Sequence, residues 1–133
     1  MRLTTGSTLD AGRGPEYNHS MLARNATRGT VLAEDVRVAR SWWARLRGLM
    51  LSPPMPRGQG LLIERCRSIH THFMRFAMDA LFLDEEGSAV AVVKEMRPWR
   101  IGRYYRGARD VLELPAGVLS ATATQVGDRI RLE

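Results

Sequence analysis

The chain of 133 residues carries 20 lysines and arginines against 14 aspartates and glutamates, a formal charge of +6, and is 44% hydrophobic and 26% charged. That length holds one core of ordinary size, and the composition excludes a disordered or fibrous chain. No apolar run approaches the roughly 20 residues of a spanning helix, and the opening Met1-Arg2-Leu3-Thr4-Thr5-Gly6 has no signal-peptide core, so a cytoplasmic protein without a membrane partner is expected. Cys66 is the single cysteine, which rules out an intrachain disulfide and reads as a small buried hydrophobe. Lys94 is the only lysine, so the positive charge is almost all arginine, a surface that attracts polyanions whatever the fold.

Residues 1–20 lack periodic apolar positions and include Gly12-Arg13-Gly14-Pro15, which predicts a flexible tail ahead of a single globular domain over 21–133, with Met21 a second candidate start. Gly29 to Val38 alternates loosely and predicts one or two short strands. Ser41 is a suitable N-cap for a short helix carrying Trp42, Trp43, Leu46, Leu49 and Met50 on one stripe, which Pro53-Pro54 cannot continue. Gly60 to Glu64 reads as a buried strand. Met78 to Leu83 and Ala89 to Lys94 read as a hairpin through Asp84-Glu85-Glu86-Gly87, in which Gly87 supplies a positive φ. Met96 to Arg109 is a long polar connection and Asp110 to Leu114 a strand stopped by Pro115-Ala116-Gly117. Val118 to Gln125 is either a helical turn or a loop, and Gly127-Asp128 turns into a last strand, Arg129 to Glu133. Short strands without regular βα alternation predict a mainly β (α+β) domain: an antiparallel barrel or jelly-roll-like sandwich with one short helix near its N-terminus.

The segments Arg45-Leu46-Arg47-Gly48-Leu49-Met50, Gly60-Leu61-Leu62, Ile69 to Asp79, Leu81-Phe82-Leu83-Asp84, Pro98-Trp99-Arg100 and Val111-Leu112-Glu113-Leu114-Pro115-Ala116-Gly117 together resemble the prokaryotic family called domain of unknown function 192. The resemblance runs from about Thr27 to Asp128 and implies a compact barrel-like or jelly-roll-like β domain with one early helix. It implies no established activity, and no cofactor is expected. The chain departs from the family pattern at His72, where an aromatic residue is usual, and at Ala77-Met78-Asp79, where Pro-Ile-Asp is usual.

His70 and His72 share a face if their segment is a strand, with Cα atoms about 6.6 Å apart, close enough to share a metal. Cys66 would lie about 20 Å from His72 on a straight strand, too far for a third ligand unless Arg67-Ser68 bends, and a hydrogen-bonded histidine pair is the simpler reading. Arg75 and Asp79 sit among Phe73, Met74, Phe76 and Met78, where both charges need partners if buried; they face each other on a helical turn and stand about 13 Å apart on a strand. Arg97, Arg100, Arg103, Arg106 and Arg109 recur every third residue around Trp99, Tyr104 and Tyr105, a composition that binds phosphates and stacks on flat groups. The simpler reading is an ordinary solvated connection whose aromatics cover the barrel, since a period of three matches neither a helix face nor a strand face.

The expectation is a binding module whose patch of His70, His72, Arg75, Asp79, Trp99 and Arg100 takes an anionic ligand, nucleic acid included, or an acidic protein segment. The alternative is a hydrolase-like enzyme that uses His70 with Asp79, or a histidine-bound metal. Neither a Gly-x-Ser-x-Gly nor a phosphate-cradling glycine loop nor a Cys-x-x-Cys is present.

Overall fold

A computed structural model describes residues 20–41, 48–50 and 52–133. Both the predicted tail, but for Ser20, and most of the predicted early helix, residues 42–47, lie outside them. Among the described residues the chain forms β1 (Met21–Asn25), β2 (Thr30–Ala39), β3 (Gln59–Ile63), β4 (Met78–Leu83), β5 (Ala89–Met96), β6 (Asp110–Pro115), α1 (Val118–Ala121) and β7 (Ile130–Leu132). The helix of the described residues therefore stands near the C-terminus, in the segment that the sequence leaves open between helix and loop. Ser41 sits in a bend and residues 48–50 in a turn.

One seven-stranded sheet runs in the order β5-β4-β6-β3-β2-β1-β7. It is mixed rather than purely antiparallel, because β2 pairs with β3 in parallel. A parallel neighbour needs a crossover of a dozen or more residues, and the 19 residues between Ala39 and Gln59 supply it. The sheet curls into a half-barrel. Its two edges touch at one end, where Ser88 bridges Arg129, Ala89 N–H donates to Asp128 O at 2.8 Å and Ile130 N–H donates to Gly87 O at 2.8 Å. Gly87 has φ +85°, and a Cβ there would stand 2.7 Å from the Ile130 carbonyl oxygen, so this closure requires glycine. Asp84 stabilises the same turn by accepting from the Glu86 and Ser88 N–H groups.

β4 is buried along its whole length. Period-two alternation sends Leu81 and Leu83 into the curl, onto Leu62, Leu112, Leu114, Val118 and Leu119. Ala80 and Phe82 go to the outer face, where they meet Val111, Met96 and the loop residues Ile69, Met74 and Ala108. Burying side chains of this size stabilises the fold by about 2 kcal/mol each. The outer cluster thus carries the connections 64–77 and 97–109 as a lid on the sheet, and the chemistry-bearing residues ride on that lid.

Candidate functional site

Residues 70–77 are not a strand. His70 makes an isolated bridge with Ile101, residues 72 and 73 form a turn, and β4 starts only at Met78. Thr71, fully buried, pins this turn to the 97–102 connection. Its N–H donates to Arg100 O at 2.8 Å, its carbonyl accepts from Trp99 N–H at 2.9 Å and Met74 N–H at 3.1 Å, and its hydroxyl donates to Arg97 O while accepting from Arg100 N–H at 2.8 Å. Gly102 N–H donates to Ile69 O at 2.9 Å, an approach that leaves no room for a side chain at residue 102.

That clip holds Phe73 (φ +64°) and Trp99 (φ +63°) in the left-handed region, which non-glycine residues seldom enter. The two side chains are 49% and 58% exposed, and their rings lie 4.9 Å apart. His72 stands edge-on to Trp99 at 5.5 Å and 5.2 Å from His70. Four rings, in the order His70, His72, Trp99 and Phe73, therefore form a continuous surface strip. Arg75, Arg97, Arg100, Arg103 and Arg106 are all exposed, and none makes an ion pair with a described residue. Arg109 approaches Asp110 at 3.9 Å, and Arg67 is spent on Ala108 O and Tyr104 Oη.

Of the six residues singled out from sequence, His70, His72 and Trp99 come together, with Arg75 and Arg100 exposed on the same two connections. Asp79 goes elsewhere. It is fully buried at the start of β4, where Oδ1 accepts from Glu95 N–H at 2.8 Å and Oδ2 from Gly117 N–H at 3.1 Å and Leu119 N–H at 2.9 Å. It thereby caps α1 from a neighbouring strand, since Gly117, at the cap position, has no side chain to do so. Its local partner is backbone rather than Arg75. No group of three or more His, Cys, Asp or Glu side chains among the described residues could hold a metal.

A second feature shares His70 with the strip. Bends at 64, 65 and 67, with Arg65 at φ +54°, fold the chain back so that Cys66, Ser68 and His70 line one cavity of about 190 Å³ together with Gly48, Leu49, Ile63 and Met74. Glu113 of β6 also lines it, on the outer face it shares with Val111. Glu113 is 4% exposed, and its Oε1 has no hydrogen-bond partner among the described residues. Burial without compensation pushes its carboxyl up from 4.5 to about 8. Cys66 Sγ donates to Ser68 O at 3.0 Å, and His70 Nδ1 accepts from His72 N–H at 3.2 Å. In the sequence Glu113 stands in a predicted strand and in a segment of family resemblance; the signal for a special role was one acid inside the apolar run Val111 to Leu114.

Residues 23–132 match the family DUF192, described as Uncharacterized ACR, COG1430. A UPF0127 protein of Thermococcus sibiricus is 34% identical over 82% of this chain and 73% of its own, and one of Pyrococcus furiosus is 33% identical over 80% and 93%. A crystal structure of a protein of unknown function from Novosphingobium aromaticivorans superposes with a TM-score of 0.74, 17% identity and coverage of 84% of this chain and 83% of that one. A Sinorhizobium meliloti protein described as a candidate transcription regulator gives 0.74, 22%, 90% and 97%. These two likenesses establish the fold alone, whereas the sequence match spans nearly all the described residues: the chain belongs to the DUF192, or UPF0127, family.

Proposed function

We propose that this protein is a small binding module whose ring strip takes an anionic ligand with flat groups, and that single-stranded nucleic acid fits it best. The observation that carries the reading is the pair Phe73 and Trp99, held exposed and in contact by a strained backbone beside arginines that lack acidic partners among the described residues. A backbone held in that region costs about 1–3 kcal/mol and persists only where the surroundings impose it, as the Thr71 clip does here. Exposed aromatic faces stack on bases, and guanidinium groups pair with phosphates. An acidic peptide would use the arginines but leave the rings idle.

Titration of a short single-stranded oligonucleotide followed by fluorescence anisotropy tests the idea. Affinity is expected to fall steeply with salt, and Arg75→Ala with Arg100→Ala to reduce the logarithmic salt slope by about 0.7 for each phosphate left without its arginine. Trp99→Ala should weaken binding about tenfold or more at every salt concentration. Equal binding by the wild type and the double variant, or binding of polyglutamate in preference to the oligonucleotide, would sink the proposal. The enzymatic alternative through His70 and Asp79 has less support, because backbone N–H groups already occupy both Asp79 oxygens.

A further inference from the structure

In the cavity that shares His70 with the ring strip, a carboxyl is buried without a partner among the described residues. Glu113 Oε1 receives no hydrogen bond from them, and a Cβ at Gly48, in the cavity lining, would stand 3.9 Å from it. Around it the wall is largely apolar, with Leu49, Ile63, Ile69 and Met74. Leaving such a group unsatisfied costs about 1–3 kcal/mol, which a structural role would have relieved with a hydrogen bond, as it does for Asp79.

The titratable groups that share the lining with Glu113 are Cys66 and His70. The thiol donates to Ser68 O, and His70 Nδ1 accepts from His72 N–H. The described lining holds no lysine or arginine. An anionic ligand would be buried beside an acid with neither to meet it. A cationic one would shed its hydration to form a buried ion pair, an exchange that roughly breaks even. An uncharged ligand avoids both costs. A carboxylic acid presents an O–H donor next to a carbonyl acceptor, and the matching edge is an N–H beside a C=O, as in an amide or a lactam.

We propose that the cavity over Glu113 is a binding site for a small uncharged ligand bearing an amide or lactam edge, which engages the Glu113 carboxyl through two hydrogen bonds. The site shares His70 with the ring strip, but the inference does not depend on the nucleic-acid reading. The probe is 2-pyrrolidinone, added to the full chain and followed through backbone amide shifts. Saturable shifts are expected at Ile63, Cys66 and Ile69, with affinity level below pH 8 and falling about tenfold for each further pH unit as the O–H donor is lost. Glu113→Gln keeps a donor and an acceptor, so it should bind without that pH dependence. Glu113→Leu should lose at least tenfold in affinity. The proposal is overturned by an absence of saturable shifts, by Glu113→Leu binding as well as the wild type, or by methylguanidinium binding that tightens with rising pH. Should the leucine variant fail to fold, the wild-type pH series and the methylguanidinium comparison still decide the matter.

Discussion

Glu113 makes a quantitative claim about stability that needs no ligand. Its carboxyl titrates near 4.5 in the unfolded chain and near 8 in the folded one, because burial disfavours the charged form. Between those values the folded protein holds a proton that the unfolded chain has released, so stability falls as pH rises from 4.5 to 8 and levels off above. A displacement of that size corresponds to about 5 kcal/mol across the window. Glu113→Gln has nothing to titrate there. Urea unfolding of both proteins across the window should therefore give curves that agree near pH 4.5 and separate in favour of the glutamine variant, by several kcal/mol near pH 8. Asp110, raised by burial against the opposing pull of the Arg65 N–H and Arg109, titrates in both proteins. Asp128, lowered first by the Asn25 amide and then by its backbone and Arg28 partners, does so too, and both cancel in the difference. Parallel curves would refute an uncompensated carboxyl at this position.

Two further outcomes probe how the fold positions its surface. Asp79→Ala strips the acceptors from the Glu95, Gly117 and Leu119 N–H groups and should cost about 4 kcal/mol, lowering Tm by roughly 15 °C, while Asp79→Asn loses less because it keeps one oxygen. A thermal melt of the alanine variant indistinguishable from the wild type would contradict that role. Thr71→Val removes the hydroxyl that receives the Arg100 N–H and donates to Arg97 O, so hydrogen exchange at Arg100 should accelerate relative to the β4 amides, with Thr71→Ser restoring protection. Unchanged exchange at Arg100 would show that the clip does not hold the ring strip.

Much of the strand layout was legible in the sequence because its signals are local. The Met78 to Leu83 and Ala89 to Met96 hairpin follows from two β-rich runs around an acidic turn, and Gly87 takes the positive φ assigned to it. Strand β1 escaped notice because Met21-Leu22-Ala23-Arg24-Asn25 is short and irregular; it exists by pairing with β2 and β7. The expectation of a wholly antiparallel sheet failed for a similar reason. Pairing direction between β2 and β3 depends on where a long connection returns the chain, and no residue within either strand encodes it. The strand on which His70 and His72 would share a face does not form, because the turn at 72 and 73 and the bends at 64, 65 and 67 belong to the tertiary fit of the lid.

Sequence alone determined a mainly β domain, its family and a basic, aromatic connection after β5, since composition, alternation and turn residues act over a few positions. His70, Trp99, Arg75 and Arg100, singled out from the sequence, are exposed and His72 is half-buried, since nothing in the core could satisfy such charged or polar groups. Only the tertiary structure distinguished the two buried acids. Asp79 and Glu113 look alike as carboxylates inside apolar runs, yet one meets three backbone donors contributed by β5 and the α1 turn while the other meets a cavity. That distinction comes from segments 16 to 65 residues away in the chain, brought together by the curl of the sheet, and no local pattern carries it.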